Sequence, residues 1–196
     1  MTDILTYGTL LGSNLVQTFL AGPLAFKALP RPSFSTLQQA IFPPYFTFQS
    51  ALPILLALTW PGDRIASAGS ATVRKDAGFW GTLSENNLLD AGVPVAIMFA
   101  TSFVNLVALG PMTTRVMRER KHQGMSAFSF FYARGQADAG NIETRDGKRY
   151  YDPGPKSAEM QRLNSSFGKL HGAASLLNLI GTFAMIYYGF TLAERL

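Results

Sequence analysis

The sequence contains no cysteine among its 196 residues. Disulfides, thiolate metal sites and cysteine nucleophiles are therefore excluded. Histidine is also scarce, because His122 and His171 are the two histidines in the chain. A histidine-based zinc site or a Ser-His-Asp triad lacks the parts that it needs. We therefore expect no bound metal, no cofactor and no catalytic residue.

Charge is low as well, and it is clustered. Charged residues make up 15% of the chain, whereas an average soluble domain has roughly 25%. Four runs carry no Asp, Glu, Lys or Arg, namely residues 4–26, 32–62, 91–114 and 170–193. Each run reaches the roughly 20 residues that cross a hydrocarbon core. The sequence therefore predicts a single all-α domain, residues 1–196, that forms an integral membrane four-helix bundle, with spans at about 4–27, 43–61, 91–114 and 171–192.

The segment between the first two spans has its own pattern. Residues 33–42 place their apolar side chains on one face, which predicts a short interfacial helix between spans 1 and 2. Pro43 and Pro44 then mark the start of the second span, because proline is accepted in a first helical turn. Tyr45 and Trp60 bracket this span, as interfacial aromatic residues often do.

The basic residues are distributed unevenly around the predicted spans. Loop 1 and loop 3, the latter taken as residues 115–169, together carry 13 Lys and Arg, and the opposite side carries four. Basic residues near the ends of spans stay in the cytoplasm. We therefore expect loops 1 and 3 to be cytoplasmic in an endomembrane or plasma membrane. The net charge of +5 is then a matter of topology, and we expect no nucleic-acid partner because no such fold is visible.

Each predicted span contains at least one amide side chain. An unpaired amide in hydrocarbon costs several kcal/mol, so these side chains are expected to face the interior of the bundle. The predicted intramembrane polar layer consists of Asn14, Gln17, Gln49, Asn105, Ser175 and Asn178. Two interpretations stay open at this point: hydrogen bonds between helices, or a polar site for a small molecule or a lipid head group.

Three further side chains are candidate contacts for a head group or ligand. Lys27 and Arg31 flank the turn after span 1, either as ordinary cytoplasmic anchors or as a site for an anionic group. His171 begins a polar stripe on span 4 that continues through Ser175, Asn178 and Thr182. A structural, a head-group-binding and a proton-coupled role are all open for this histidine.

Three blocks of sequence carry a resemblance that covers all four spans. They are AGPLAFKALPRPSFSTLQQAIFPPYF at 21–46, NLVALGPMTTRVMRER at 105–120 and FGKLHGAASLLNL at 167–179. With these blocks the chain resembles the transmembrane protein 205-like family of small four-span membrane proteins. The resemblance implies an integral membrane protein with four helices, and it transfers no catalytic residues.

The function that these observations favour is not enzymatic. We expect a multi-pass membrane protein that organises or traffics membrane proteins or lipids. Its expected partners are membrane lipids, with other membrane proteins or a second copy of the chain as further candidates. The alternative is a small-molecule or lipid transporter or exporter that works as an oligomer, because four short spans enclose little volume.

Overall fold

The computed structural model describes residues 2–65, 73–124, 151 and 153–195. The N-terminal half contains, in chain order, α1 (Thr2–Leu15), a π-helical segment (Val16–Ala21), α2 (Gly22–Ala28), α3 (Arg31–Leu58), β1 (Asp63–Ile65), β2 (Val73–Lys75) and α4 (Gly78–Thr82). The remainder contains a π-helical segment (Leu88–Gly92), α5 (Val93–Val104), a π-helical segment (Asn105–Leu109), α6 (Gly110–Gln123) and α7 (Ala158–Arg195).

The predicted all-α class is confirmed. Three helical stretches are long and apolar enough to cross a membrane, namely Arg31–Leu58, Leu88–Gln123 and Ala158–Arg195. They contain most or all of the predicted spans 2, 3 and 4. Residues 2–28 are helical too, but they are not among these three stretches, because threonine, serine and amide side chains lower their mean hydropathy. The two short strands pair antiparallel, with Arg64 opposite Arg74, and form a small hairpin outside the helices.

Each π-helical segment in the described chain ends two residues before a proline. The three prolines are Pro23, Pro94 and Pro111. A proline ring clashes with the carbonyl group four residues earlier in an α-helix. A π-helix occurs mostly as a single wider turn inside an α-helix, and here that wider turn accommodates the clash without ending the helix.

The short interfacial helix predicted over residues 33–42 is not a separate element. The structure places these residues in the first turns of α3, which continues through Pro43 and Pro44 without a break. Each of these prolines removes one backbone donor, and the loss of two bonds does not end a helix of 28 residues. The helix starts instead at Arg31, because the extended ψ of 145° at Pro30 makes Pro30 the residue before the first turn.

The described residues form two compact units. The first unit comprises Met1–Val107 and Ser175–Leu196, and the second comprises Ala108–Ala174. The core of the first unit takes apolar side chains from α1, α3, α5 and α7, among them Leu10, Leu56, Met98, Met185 and Tyr188. Four helical segments therefore share one core in this unit.

Trp60 belongs to this core. Only 1% of it is exposed, and its position at the membrane interface stays a prediction. Its ring lies 5.8 Å from the ring of Tyr188, and its carbonyl oxygen accepts a hydrogen bond of 2.9 Å from the Gly78 N–H. This hydrogen bond links the segment after α3 to the first residue of α4, and the Trp60 side chain packs in the core.

Candidate functional site

Asn14 is the centre of a hydrogen-bonded cluster in the first unit. Its side chain is 1% exposed. The Nδ2 atom donates to the Tyr45 hydroxyl at 3.2 Å and to Oδ1 of Asn178 at 3.2 Å. The Oδ1 atom accepts from the Thr182 hydroxyl at 2.9 Å. One side chain of α1 is thus bonded to both α3 and α7.

Asn178 closes the cluster on the side of α7. Its Nδ2 atom donates to the Thr18 hydroxyl at 2.9 Å, while its backbone carbonyl accepts from the Thr182 hydroxyl at 2.8 Å. The spacing explains the geometry, because residues four apart lie on one face of a helix. This holds for Asn178 and Thr182 in α7. We refer to Asn14, Thr18, Tyr45, Asn178 and Thr182 as the amide cluster.

Gln49 extends the polar contacts one turn further along α3. Its Nε2 atom donates to the Ser13 hydroxyl at 2.8 Å and to the Leu10 carbonyl at 3.3 Å. The Ser102 hydroxyl donates to the Gln49 carbonyl at 3.2 Å, which brings in α5. Gln49 is 1% exposed, and its Oε1 atom has no hydrogen-bond partner among the described residues.

Gln38 carries a second buried acceptor of this kind. It lies on α3 eleven residues before Gln49, which puts the two side chains on one face of the helix. Gln38 is 5% exposed, and its Oε1 atom also has no partner within the described ranges. A buried polar group without a partner costs about 1–3 kcal/mol. Buried polar groups of this type are usually satisfied by an ordered water or a ligand.

The other members of the predicted polar layer lie outside the amide cluster. Asn105 is 1% exposed and begins the π-helical segment after α5. Gln17 is half-buried and Ser175 is exposed, and neither side chain forms a hydrogen bond within the described part of the chain. The polar pattern of α7 keeps Ser175 on the same face as Asn178. That face forms hydrogen bonds to α1 at Asn178 and Thr182, and not at Ser175.

The predicted polar layer does not include Thr18, Thr182 or Tyr45, although the sequence carries part of the signal for them. Thr18 and Thr182 stand four residues after Asn14 and Asn178, so each shares a face with an amide. Tyr45 stands four residues before Gln49 in the same way. The hydroxyl of the half-buried Tyr45 accepts a bond from Asn14, and its position at the membrane interface stays a prediction.

Lys27 and Arg31 lie at the turn between α2 and α3, and both are exposed. The Arg31 guanidinium lies 3.5 Å from the centre of the Phe26 ring. Phe26 in turn meets Phe34 edge to face at 5.3 Å. This stack holds the charge of Arg31 at the turn, while the Lys27 ammonium group stays at the surface. The turn therefore presents two positive charges, and their role as head-group contacts stays a prediction.

His171 is part of the second unit. Its ring is stacked on Phe167, with centroids 5.6 Å apart and planes 6° from parallel. The Arg120 guanidinium lies 4.3 Å from the centre of the same Phe167 ring. The imidazole is exposed. Its position next to an aromatic ring suits a packing role, and its role as a ligand contact stays a prediction.

The chemistry available to the amide cluster follows from its side chains. Amides and alcohols donate and accept hydrogen bonds, but they do not change their protonation state near neutral pH. Within the described ranges, no group of three or more His, Cys, Asp and Glu residues is placed to hold a metal ion. The cluster can therefore tie helices together or bind a polar neutral group.

Comparison with known proteins gives two similarities. A family model described as a domain of unknown function, DUF4149, matches residues 5–122. The chain is also 27% identical over 193 residues to "Xanthocillin biosynthesis cluster protein D" of Aspergillus fumigatus, an alignment that covers 98% of this chain and 88% of that protein. No solved structure matches the chain. The family match includes Asn14, Tyr45 and Gln49, whereas Asn178 lies beyond it.

Proposed function

The chain belongs to the DUF4149 family, and we propose that it is a multi-pass membrane protein without catalytic activity that organises or traffics membrane proteins or lipids. Its partners are membrane lipids, together with other membrane proteins or a second copy of the chain, and nucleic acid is not among them. The observation that carries this proposal is the amide cluster. Its polar side chains bond to one another across α1, α3 and α7, which fits a scaffold.

The proposal includes a topology of four spans in a bundle. Residues 2–28 form the first span, and loops 1 and 3 lie in the cytoplasm. The common core of α1, α3, α5 and α7 supports this arrangement, because α1 packs with the three stretches of spanning length. Two of the blocks that resemble the transmembrane protein 205-like family, 21–46 and 105–120, lie inside the matched residues 5–122. We therefore propose that the chain is a four-span protein of that kind.

Reconstitution tests this function. The purified chain is placed in liposomes loaded with small fluorescent solutes and with fluorescent lipids in one leaflet. We expect no movement of either probe beyond that in liposomes without protein. Affinity purification from the native membrane is expected to yield a stoichiometric membrane partner. Probe movement that depends on the protein would contradict the proposal.

A second candidate function is a small-molecule or lipid transporter or exporter that works as an oligomer. The Oε1 atoms of Gln38 and Gln49 favour it, because two buried acceptors without partners suit a substrate that donates hydrogen bonds. The name of the Aspergillus relative assigns that protein to a xanthocillin biosynthesis cluster. The two candidates differ in whether the purified chain moves a solute or a lipid.

The control for this candidate lies in the same helix. Gln39 is half-buried and donates to the Ser35 hydroxyl at 3.2 Å. Its oxygen is not one of the buried acceptors without a partner, so Gln39→Leu removes a neighbouring amide of a different kind. If the chain is a transporter, Gln38→Leu and Gln49→Leu lower the flux and Gln39→Leu does not. Equal flux in all three variants would rule out a substrate path along the two acceptors.

A further inference from the structure

The exposed surface of α6 is basic over two helical turns. Between residues 115 and 122, the exposed side chains are Arg115, Arg118, Lys121 and His122, and all the others are half-buried. Residues three or four apart lie on one face of a helix. We call Arg115, Arg118 and Lys121 the basic stripe, with His122 at its edge.

The opposite face of α6 packs within the second unit. Arg120 lies over the ring of Phe167 at 4.3 Å, and Gln123 bonds to the Ser157 hydroxyl at 3.5 Å. Arg120 is about half a turn away from Arg118 around the helix axis. The contact with α7 therefore turns the basic stripe outwards.

The positive charge of the stripe is only partly offset. Arg115 pairs with Glu119 at 2.9 Å, but the Arg115 side chain is 82% exposed. Such an exposed pair is weak and is screened by salt. Arg118 and Lys121 form no ion pair with any residue in the described ranges. The stripe is thus an exposed row of charges of one sign.

The position of the stripe along the helix is the second observation. The stretch Leu88–Gln123 has 36 residues, or about 54 Å at 1.5 Å per residue, while a hydrocarbon core is about 30 Å thick. Its residues 91–114 carry no charge, and Arg115 follows at once. If the uncharged part crosses the core, the stripe lies at the depth of the lipid head groups.

We propose that the basic stripe binds the head groups of anionic phospholipids in the adjacent leaflet. This inference rests on the proposed function, in which membrane lipids are partners, and it names the class of lipid. A basic segment next to a span is attracted to an anionic leaflet by about 1 kcal/mol for each Lys or Arg near the surface. An acidic protein is a less suitable occupant, because the span holds the stripe against the membrane.

Electron spin resonance of the reconstituted full chain tests this proposal. Vesicles of phosphatidylcholine contain a small amount of spin-labelled phosphatidylserine or spin-labelled phosphatidylcholine, and the immobilised fraction measures the lipid in contact with the protein. We expect wild type to prefer phosphatidylserine. The double variant Arg118→Gln, Lys121→Gln is expected to weaken this preference by up to about fivefold for each charge removed, and 1 M salt is expected to act in the same direction.

The matched control removes two exposed basic groups elsewhere. Lys75 is exposed, and the side chain of Arg162 is 71% exposed, so Lys75→Gln with Arg162→Gln lowers the net charge equally. This control is expected to keep the preference for phosphatidylserine. An equal loss in the control, or the absence of a preference in wild type, would overturn the proposal.

The experiments distinguish a failure of the lipid-binding proposal for the basic stripe from a failure of the proposed function. Absence of a lipid preference overturns the stripe alone, since solute movement and partner co-purification are measured separately. A stripe variant that loses an acidic protein partner but keeps its preference for phosphatidylserine also overturns the lipid proposal. Melting curves of both double variants are expected to match wild type, because all four side chains are exposed.

Discussion

Replacing Asn14 by leucine tests whether the amide cluster holds the helices together. The change removes three side-chain hydrogen bonds, to Tyr45, Asn178 and Thr182. Interhelical hydrogen bonds in membrane proteins contribute about 0.6 kcal/mol each on average and at most about 1.7. We therefore expect the free energy of unfolding to fall by about 2 kcal/mol, with an upper bound of about 5 kcal/mol.

The assay is equilibrium unfolding in mixed micelles, in which the mole fraction of a denaturing detergent is raised and helical structure is measured. Gln17→Leu is the matched control. Gln17 lies one turn after Asn14 and carries the same functional group, but its half-buried side chain has no hydrogen bond in the described chain. Its replacement is expected to change the free energy of unfolding by less than about 0.5 kcal/mol, as is usual for sites without a specific contact.

Two results would refute this reasoning. The first is an Asn14→Leu variant as stable as wild type, because the cluster would then contribute nothing measurable. The second is a loss of stability in Gln17→Leu as large as that in Asn14→Leu. In that case any amide on this helix would matter for its general polarity, and the specific bonds would not be the cause.

The remaining predictions concern other contacts. A double-mutant cycle of Asn14→Leu and Asn178→Leu is expected to give a coupling free energy of about 0.6–1.7 kcal/mol. Additive effects would show that the two amides do not interact. A Cβ at Gly189 would overlap the Tyr7 hydroxyl, so Gly189→Ala is expected to cost about 1–3 kcal/mol of unfolding free energy, with partial recovery when Tyr7→Phe is added. The chain lacks cysteine, so Lys121→Cys and Lys75→Cys can be labelled singly with an impermeant reagent. We expect them to react from opposite sides of a sealed membrane, and labelling of both from one side would contradict the proposed topology.

The helices were predictable because length and charge alone limit what a long apolar run can do. Residues 91–114 are uncharged over the thickness of a membrane, and the structure has a continuous helical stretch there. The interior positions of Asn14, Gln49 and Asn105 were predictable for a similar reason. An amide in an apolar run avoids lipid by facing another helix, and all three are 1% exposed.

The partners of these amides could not be predicted in the same way. Periodicity predicts which residues share a face of one helix, but it does not predict where a second helix crosses that face. Ser175 and Asn178 satisfy the same pattern, yet of these two only Asn178 bonds, within the described residues, to Asn14 in α1 and to Thr18 in the π-helical segment that follows α1. The start of α3 was missed for a different reason. Pro43 and Pro44 are typical of a helix start, but proline is also tolerated inside a long helix whose other backbone hydrogen bonds and buried face remain.

The two candidate functions depend on different residues of α3, because some of its polar side chains have hydrogen-bond partners and others carry a buried oxygen without one in the described part of the chain. At Tyr45 the polar group is bonded to Asn14, so this level of the helix is the least able to accept a ligand. At Gln38 and Gln49 a buried oxygen has no donor among the described residues. A scaffold therefore depends on the amide cluster, and a transporter depends on the two glutamines. Substitution of Asn14 is expected to lower stability under either function, whereas Gln38→Leu is expected to remove an orphan acceptor and leave the cluster intact. Reduced solute flux in a Gln38→Leu variant that melts like wild type would decide in favour of transport. The absence of flux in wild type, together with unchanged melting of Gln38→Leu, would decide in favour of the scaffold.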